Sequence, residues 1–259
     1  MTTAKAIEHE RPLQIPDAVG RYLSCAISGH RRIVGATVRQ EGQFRLGMSG
    51  EHWRPFTATE HFRADRPGFE WDAEIRFAPL LNIRVRDTYD AGVGSTSASL
   101  LGHTFMTARP AAELNVGALQ RYLAEAVWLP SVLVAAKGLR WRGVDRERAI
   151  ATLRDGPLIV ALEFSFNERG EVCEVFAPVR YRSVAGEYVA TPWLVRCWDY
   201  IEIDGFRVPE RSEVSWVLPD GLFTYWRGRV RAIAYDWMPA AGELNGRAIA
   251  NSADLKRTA

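Results

Sequence analysis

Three acidic residues interrupt stretches that should be apolar, and they are the side chains of this chain best placed to do chemistry. Asp87 falls between Val85 and Tyr89, and Glu60 between Ala58 and Phe62, in segments that otherwise alternate like half-buried strands. A carboxylate on such a face must be paired, hydrogen-bonded or protonated, so these positions read as the lining of a ligand cavity. Glu125 joins them from a helical stretch. It lies beside Tyr122 and Leu129, off the centre of the apolar stripe, where it can border a pocket while its neighbours anchor the helix. Partial desolvation raises a carboxyl pKa and suits it to general acid or base work. The plainer reading is a surface pair with Arg121, four residues earlier. For Glu60 and Asp87 the alternatives are a carboxylate pair of unequal proton affinity, neutralisation by an arginine, or ionic ladders between neighbouring strands.

His61 has the opposite strand phase from Glu60 and is the best placed of the five histidines to reach a charged face. Tyr200 completes the candidate catalytic set of Glu125, Asp87, Glu60, His61 and Tyr200. The second half carries Trp193, Arg196, Trp198, Asp199 and Tyr200, then Trp216, Tyr225, Trp226 and Arg227 in close order. Indoles offer flat apolar faces with one donor, suited both to aromatic ligands and to filling a broad core. The expected ligand-binding residues are Trp71, Arg76, Tyr89, Trp128, Arg196, Trp198, Trp226 and Arg227. Arg76, with Arg84 and Arg86, has the outward phase in simple alternation and reaches a cavity only through a bulge. The histidines form no HExxH or short His/Asp spacing, and no metal or other cofactor is expected. Ser99 and Ser165 lack a nucleophile-elbow context. Cys25, Cys173 and Cys197 are widely spaced and read as buried free thiols.

The elements that must hold these residues follow from periodicity. Pro16 and Asp17 open a short helix that Gly29 stops. Strands are expected at Ile33–Leu46, Phe56–Ala64, Phe69–Phe77, Asn82–Tyr89 and Gly94–Leu100, with connections short enough to require hairpins. The stretch 113–129 is the best helix, with Asn115 as its cap and Val116, Leu119, Leu123, Ala126 and Val127 as its stripe; Pro130 interrupts it. Strands resume at Leu139–Val144, Ala149–Leu153, Leu158–Asn167, Glu171–Tyr181, Leu194–Ile203, Phe206–Val217 and Leu222–Asp236. Two meanders flanking one helix imply an α+β fold, a strongly curved antiparallel sheet wrapping one or two helices. Residues 1–240 are expected to form one such domain around the helix 115–129, and residues 241–259 an extension.

Composition narrows the partners. The 259 residues carry 33 Lys plus Arg against 31 Asp plus Glu, a net charge of +2 without a basic stripe, so nucleic acid is not expected. Lys occurs only at Lys5, Lys137 and Lys256, and arginine supplies the rest. The charged opening and the lack of a long apolar run predict neither export nor a membrane span, which makes the cytoplasm the expected compartment. No glycine-rich loop joins a strand to a helix as nucleotide folds require. A homodimer is expected to use edge pairing of Phe69–Phe77 or exchange of the tail after Pro239.

Longer strings carry a resemblance. VRQEGQFRLG at 38–47, WRPFTATEHF at 53–62, EWDAEIRFAP at 70–79, RVRDTY at 84–89, RYLAEAVWLP at 121–130, TPWLVRCWDY at 191–200, and VSWVLPDG with YWRGRV at 214–230 resemble a bacterial family of unassigned function. More distantly the chain is similar to the half-barrel proteins that carry lipids or lipoproteins outside the cytoplasm. The resemblance implies a curved sheet around helices with an apolar hollow. Two functions follow as expectations. One is intracellular binding of an apolar or aromatic small molecule in the half-barrel cleft. The other is a cofactor-independent lyase or isomerase using Glu125 or Asp87 as general acid or base.

Overall fold

A computed structural model describes residues 15–29, 32–45 and 52–238. The expected opening arm 1–12, the turn at 47–50, the extension 241–259, and His9 and His30 lie outside the described residues. Six strands precede the long helix: β1 (Ile33–Phe44), β2 (Arg54–Arg63), β3 (Gly68–Ala78), β4 (Leu81–Asp90), β5 (Val93–Leu100) and β6 (His103–Thr107). Seven follow it: β7 (Leu139–Gly143), β8 (Arg148–Asp155), β9 (Leu158–Phe166), β10 (Val172–Val184), β11 (Glu187–Ile203), β12 (Phe206–Leu218) and β13 (Gly221–Trp237). Ala91-Gly92, Leu101-Gly102, Ala185-Gly186 and Asp204-Gly205 all have positive φ at both residues, the turn whose twist matches that of the flanking strands. Each meander therefore folds locally. The two join where β1 pairs antiparallel with β13, so one sheet runs β6-β5-β4-β3-β2-β1-β13-β12-β11-β10-β9-β8-β7.

The sheet curves strongly into a half-barrel around α2 (Ala112–Glu125) and a 3-10 turn (Ala126–Trp128). Curvature is required because α2 touches β4 and β5 from one arm and β9 and β10 from the other. Its inward side is apolar, with Leu119, Leu123, Val127, Trp128 and Leu129 buried against the sheet. A Cβ added to Gly94 of β5 would stand 2.8 Å from the Ala118 Cβ, so strand and helix approach this closely only because Gly94 has no side chain. Past Pro130 a short α3 (Val132–Ala135) leads into β7. At one end of the trough, α1 (Asp17–Ala26) packs on β8 and β12, burying Ala18, Val19, Tyr22 and Ala26. Tyr22 meets Phe166 at 5.7 Å between ring centroids, and Ile27 bridges to Phe206. That end is plugged.

Four expectations are corrected. The long helix begins at Ala112 without a side-chain cap, and Asn115 lies inside it; the Asn115 Oδ1 instead accepts the Gly94 N–H at 2.8 Å. β6 had no sequence signal, because all five of its residues are exposed and nothing marks a buried phase. β11 starts at Glu187, seven residues before the expected Leu194. β3 is paired on both sides, by β2 and β4, so Phe69–Phe77 has no free edge for a second copy; the sheet edges are β6 and β7.

Candidate functional site

Register sets the first wall of the site. Glu60 of β2 lies directly opposite Trp71 of β3, and Trp71 opposite Asp87 of β4, so the three share one row on the concave face. Arg121, on the helix above them, is forked over that row. Its Nη2 donates to Glu60 Oε1 at 2.9 Å, its Nη1 to Asp87 Oδ2 at 2.8 Å, and its Nε to Glu125 Oε1 at 2.9 Å. The guanidinium carbon lies 4.8 Å from the centre of Phe69 and 5.0 Å from that of Trp71. Behind the row, buried Gln40 of β1 donates to Glu60 Oε2 at 2.9 Å and accepts the Trp71 indole N–H at 3.0 Å. Glu60 is wholly buried, and both of its carboxyl oxygens accept hydrogen bonds.

Three carboxyls around one guanidinium leave an excess of negative charge where solvent screens poorly, and a proton relieves it. Burial pushes the Glu60 carboxyl well above the ordinary value of 4.5, and neighbouring Glu125 adds to this against the opposing effects of Arg121 and Gln40. Burial raises Glu125 as well, with Arg121 opposing. The charge of each carboxyl therefore bears on the proton affinity of the other. Burial works against the charge on Arg121, but the surrounding carboxylates outweigh it and keep the group cationic.

The second wall comes from the other meander. Regular alternation from Val175 and Ala177 would turn Arg180 outward, yet the β10–β11 register slips between Ala177 and Arg180. Pro178 has no N–H to give the ladder, and Pro178 and Val179 are exposed in this bulge, which turns Arg180 into the trough. Its guanidinium lies 4.3 Å from the Trp193 ring centre, and the Trp193 indole N–H donates to the Tyr225 hydroxyl at 3.0 Å. Burial lowers the proton affinity of Arg180, and Arg121 adds repulsion. A second slip, between Val214 and Ser215 opposite β13, lets both Tyr225 and Trp226 face inward. The Trp226 indole is seated on Gly228, where any Cβ would collide with the ring.

Between these walls is a cavity of about 140 Å³. Carbon from Trp71, Trp128, Trp193, Val195, Val214 and Trp226 lines most of it, while Asp87, Arg121, Glu125 and Arg180 supply one polar side. Asp87 Oδ1, Glu125 Oε2 and Arg180 Nη1 are buried without a hydrogen-bond partner among the described residues. These atoms can meet a ligand or move a proton. Cys197 also borders the cavity, but burial pushes its thiol up to about 12, so it is no nucleophile. At Phe44, Arg180 and Tyr225 the cavity adjoins an outer groove of about 630 Å³ at the strand ends opposite α1. The half-barrel thus has a cleft that is plugged at one end, open at the other and consistent with small-molecule binding.

Of the residues expected at the site, Glu60, Asp87, Glu125, Trp71, Trp128 and Trp226 come together. The others do not. His61 is exposed on the convex face and bonded to Thr37 Oγ1 at 3.0 Å, as its opposite phase from Glu60 requires. Arg76 is exposed there too. Arg196 lies between Glu174 and Glu213, and Arg227 pairs with Glu213 and stacks on Trp53. Asp199, at φ 54°, breaks β11 so that Trp198 is exposed while the Tyr200 hydroxyl donates to Val172 O, away from the cavity. Tyr89 is core, its hydroxyl donating to Asp155 Oδ2 at 2.6 Å. Arg121 enters as the centre of the site rather than as a surface partner of Glu125. Gln40 and Arg180 were not anticipated.

A family profile described as a family of unknown function (DUF6920) matches residues 13–235. A search of curated proteins finds no match. Among solved structures, the chain is similar to the LolA superfamily protein NE2245 of Nitrosomonas europaea, at 11% identity and a TM-score of 0.39 over 85% of this chain and 94% of that one. It is also similar to a β-barrel-like protein of the domain of unknown function DUF1849 from Brucella abortus, at 10% identity and a TM-score of 0.23 over 81% and 100% of the two chains. The likeness to half-barrel carrier folds is therefore distant, and the curvature described above stands on this chain's own ladders. The comparisons do not support the cytoplasmic placement expected from composition and the opening residues. Among the described residues no helix is long and apolar enough to cross a membrane.

Proposed function

This chain belongs to the DUF6920 family, whose description names no activity, and from its own geometry we propose that the cleft binds a small aromatic or apolar molecule. The observation that carries the proposal is the cavity between Trp71, Trp128, Trp193 and Trp226. Its volume of about 140 Å³ is close to the roughly 150 Å³ at which an apolar protein cavity takes up benzene. One ring fits. The unsatisfied oxygens of Asp87 and Glu125 then orient a ligand N–H or O–H, the usual division between apolar body and few polar contacts. Calorimetric titration with neutral 3-phenylpropionamide tests this. Val214→Phe fills the cavity and is expected to abolish binding while the protein stays folded; equal binding to both proteins would overturn the reading.

A second reading, proton transfer in a cofactor-independent lyase or isomerase, is favoured by the raised proton affinity of buried Glu125 and by its oxygen left without a partner among the described residues. In it Glu125 or Asp87 takes a substrate proton and Arg121 steadies the resulting charge. Native mass spectrometry of protein isolated from its own host identifies a retained molecule. If that molecule is then converted, Glu125→Gln should lower kcat far more than it raises KM. Retention without conversion, unchanged in Glu125→Gln, leaves binding alone.

A further inference from the structure

The outer groove is cationic, and among the described residues no carboxylate forms an ion pair with its arginines. Arg45, Arg109, Arg180 and Arg182 line it, and neither Asp nor Glu does. Among the described residues none of the four is in an ion pair. Arg45 lies 4.4 Å from the ring centre of Trp53 and 5.3 Å from that of Phe223. Arg109 Nη2 donates to Gly186 O at 3.3 Å, and Arg182 Nε to Thr191 Oγ1 at 2.9 Å. Arg180 rests on Trp193 and makes no hydrogen bond among the described residues, where both Arg180 Nη1 and Arg45 Nε are also buried without an acceptor. Elsewhere on the same sheet several outward-facing arginines meet carboxylates: Arg84 with Asp72, Arg86 with Glu70, Arg196 with Glu174 and Arg229 with Glu210. The groove thus gathers four arginines without an ion pair among the described residues, two of them against aromatic rings. Cations held partly out of water need a counter-charge, and a guanidinium fork matches an oxyanion bidentately.

We propose that the groove seats the oxyanion head, carboxylate or phosphate, of an amphiphile whose apolar end passes Arg180 into the aromatic cavity. The position of Arg180 at the junction makes this one site. It borders both the groove and the cavity, with Phe44 and Tyr225 beside it, so a head on the guanidinium places its tail among Trp193, Trp226 and Val214. The deeper carboxyls of Asp87 and Glu125 set the polarity, repelling a charged head and leaving the inner end for neutral groups. The inference rests on the reading of the cavity as a small-molecule site and adds the class of ligand.

The test compares 3-phenylpropionate, phenyl phosphate and neutral 3-phenylpropionamide by calorimetry on the whole protein. At least one anion is expected to bind about tenfold or more tightly than the amide, as a charged hydrogen-bonded pair implies, and the tighter anion identifies the head. Raising NaCl from about 50 to about 500 mM should weaken the anion and leave the amide unchanged. Arg180→Gln should erase the preference, read as the ratio of anion to amide affinity; Arg109→Gln and Arg182→Gln, at the rim, should each lower anion affinity severalfold even if the Arg180 variant does not fold. Anions and amide binding alike to the unaltered protein would overturn the proposal and leave the small-molecule reading standing, as would a preference that survives all three variants. If none of the three compounds binds, both readings fall.

Discussion

Arg121 meets Glu60, Asp87 and Glu125 through three different nitrogens, so a substitution that keeps its length but not its fork strands at least one carboxyl among aromatic rings. Removing one partner from a buried ionic cluster costs more than the cluster is worth. Arg121→Met is expected to lower stability by about 3–5 kcal/mol, read as the midpoint shift in urea unfolding. A part of that should return when Glu60→Gln and Glu125→Gln are added; no recovery would mean that the carboxyls are not what makes the loss large. Glu60 carries a pH signature of its own. Its folded-state proton affinity is raised, so the folded protein holds more protons than the unfolded chain once pH passes the ordinary 4.5, and stability falls as pH climbs through the elevated value. Thermal melts from pH 4.5 upward should show that decline in the unaltered protein and a shallower one in Glu60→Gln. At this scale the sequence was legible for Glu60, Asp87 and Glu125, because a charge in an apolar phase shows without coordinates. Arg180 was not, since its inward face depends on a register slip.

The helix α2 and the strand bulges translate those residues into a cleft. Successive turns of α2 present Leu114 to the groove, Arg121 and Glu125 to the cavity, and wholly buried Leu119 and Leu123 to the sheet. Leu123→Ala should cost about 2–5 kcal/mol by chemical denaturation, the range for deleting a buried leucine side chain. Gly228→Ala should unseat Trp226 and change the tryptophan emission spectrum, whereas unchanged emission would show that the indole finds another perch. Most elements were legible from periodicity and hairpin-length connections. Pro178 within a strand was the one printed sign of the β10 bulge, but proline marks an edge as readily as a bulge, so it did not say which side chains would cross over. β6 gave no sign because His103, Thr104, Phe105, Met106 and Thr107 have no buried side to alternate with.

Across the whole molecule, the two meanders bury one continuous apolar core whose members come from nearly every strand. Its stability is uneven. Among the described residues β6 and β7 pair on one side only, and β6 is exposed along its length, so backbone amides of 103–107 should exchange with solvent much faster than those of β2 and β3. Hydrogen exchange read by mass spectrometry checks this, and equal protection would mean that something covers the β6 edge. Curvature was foreseen from the count of helices against strands and from the half-barrel likeness. The pairing of β1 with β13 was not, because no local pattern ties the first strand to the last.

That pairing bears on how the protein is made. β1 leaves the ribosome well before its partner β13, so while the chain between them is made one flank of β1 has backbone donors and acceptors with nothing to bind. The nascent chain waits with an open zipper in what will become its middle, and a pause or premature stop before β13 should yield polypeptide that clumps rather than a smaller working protein.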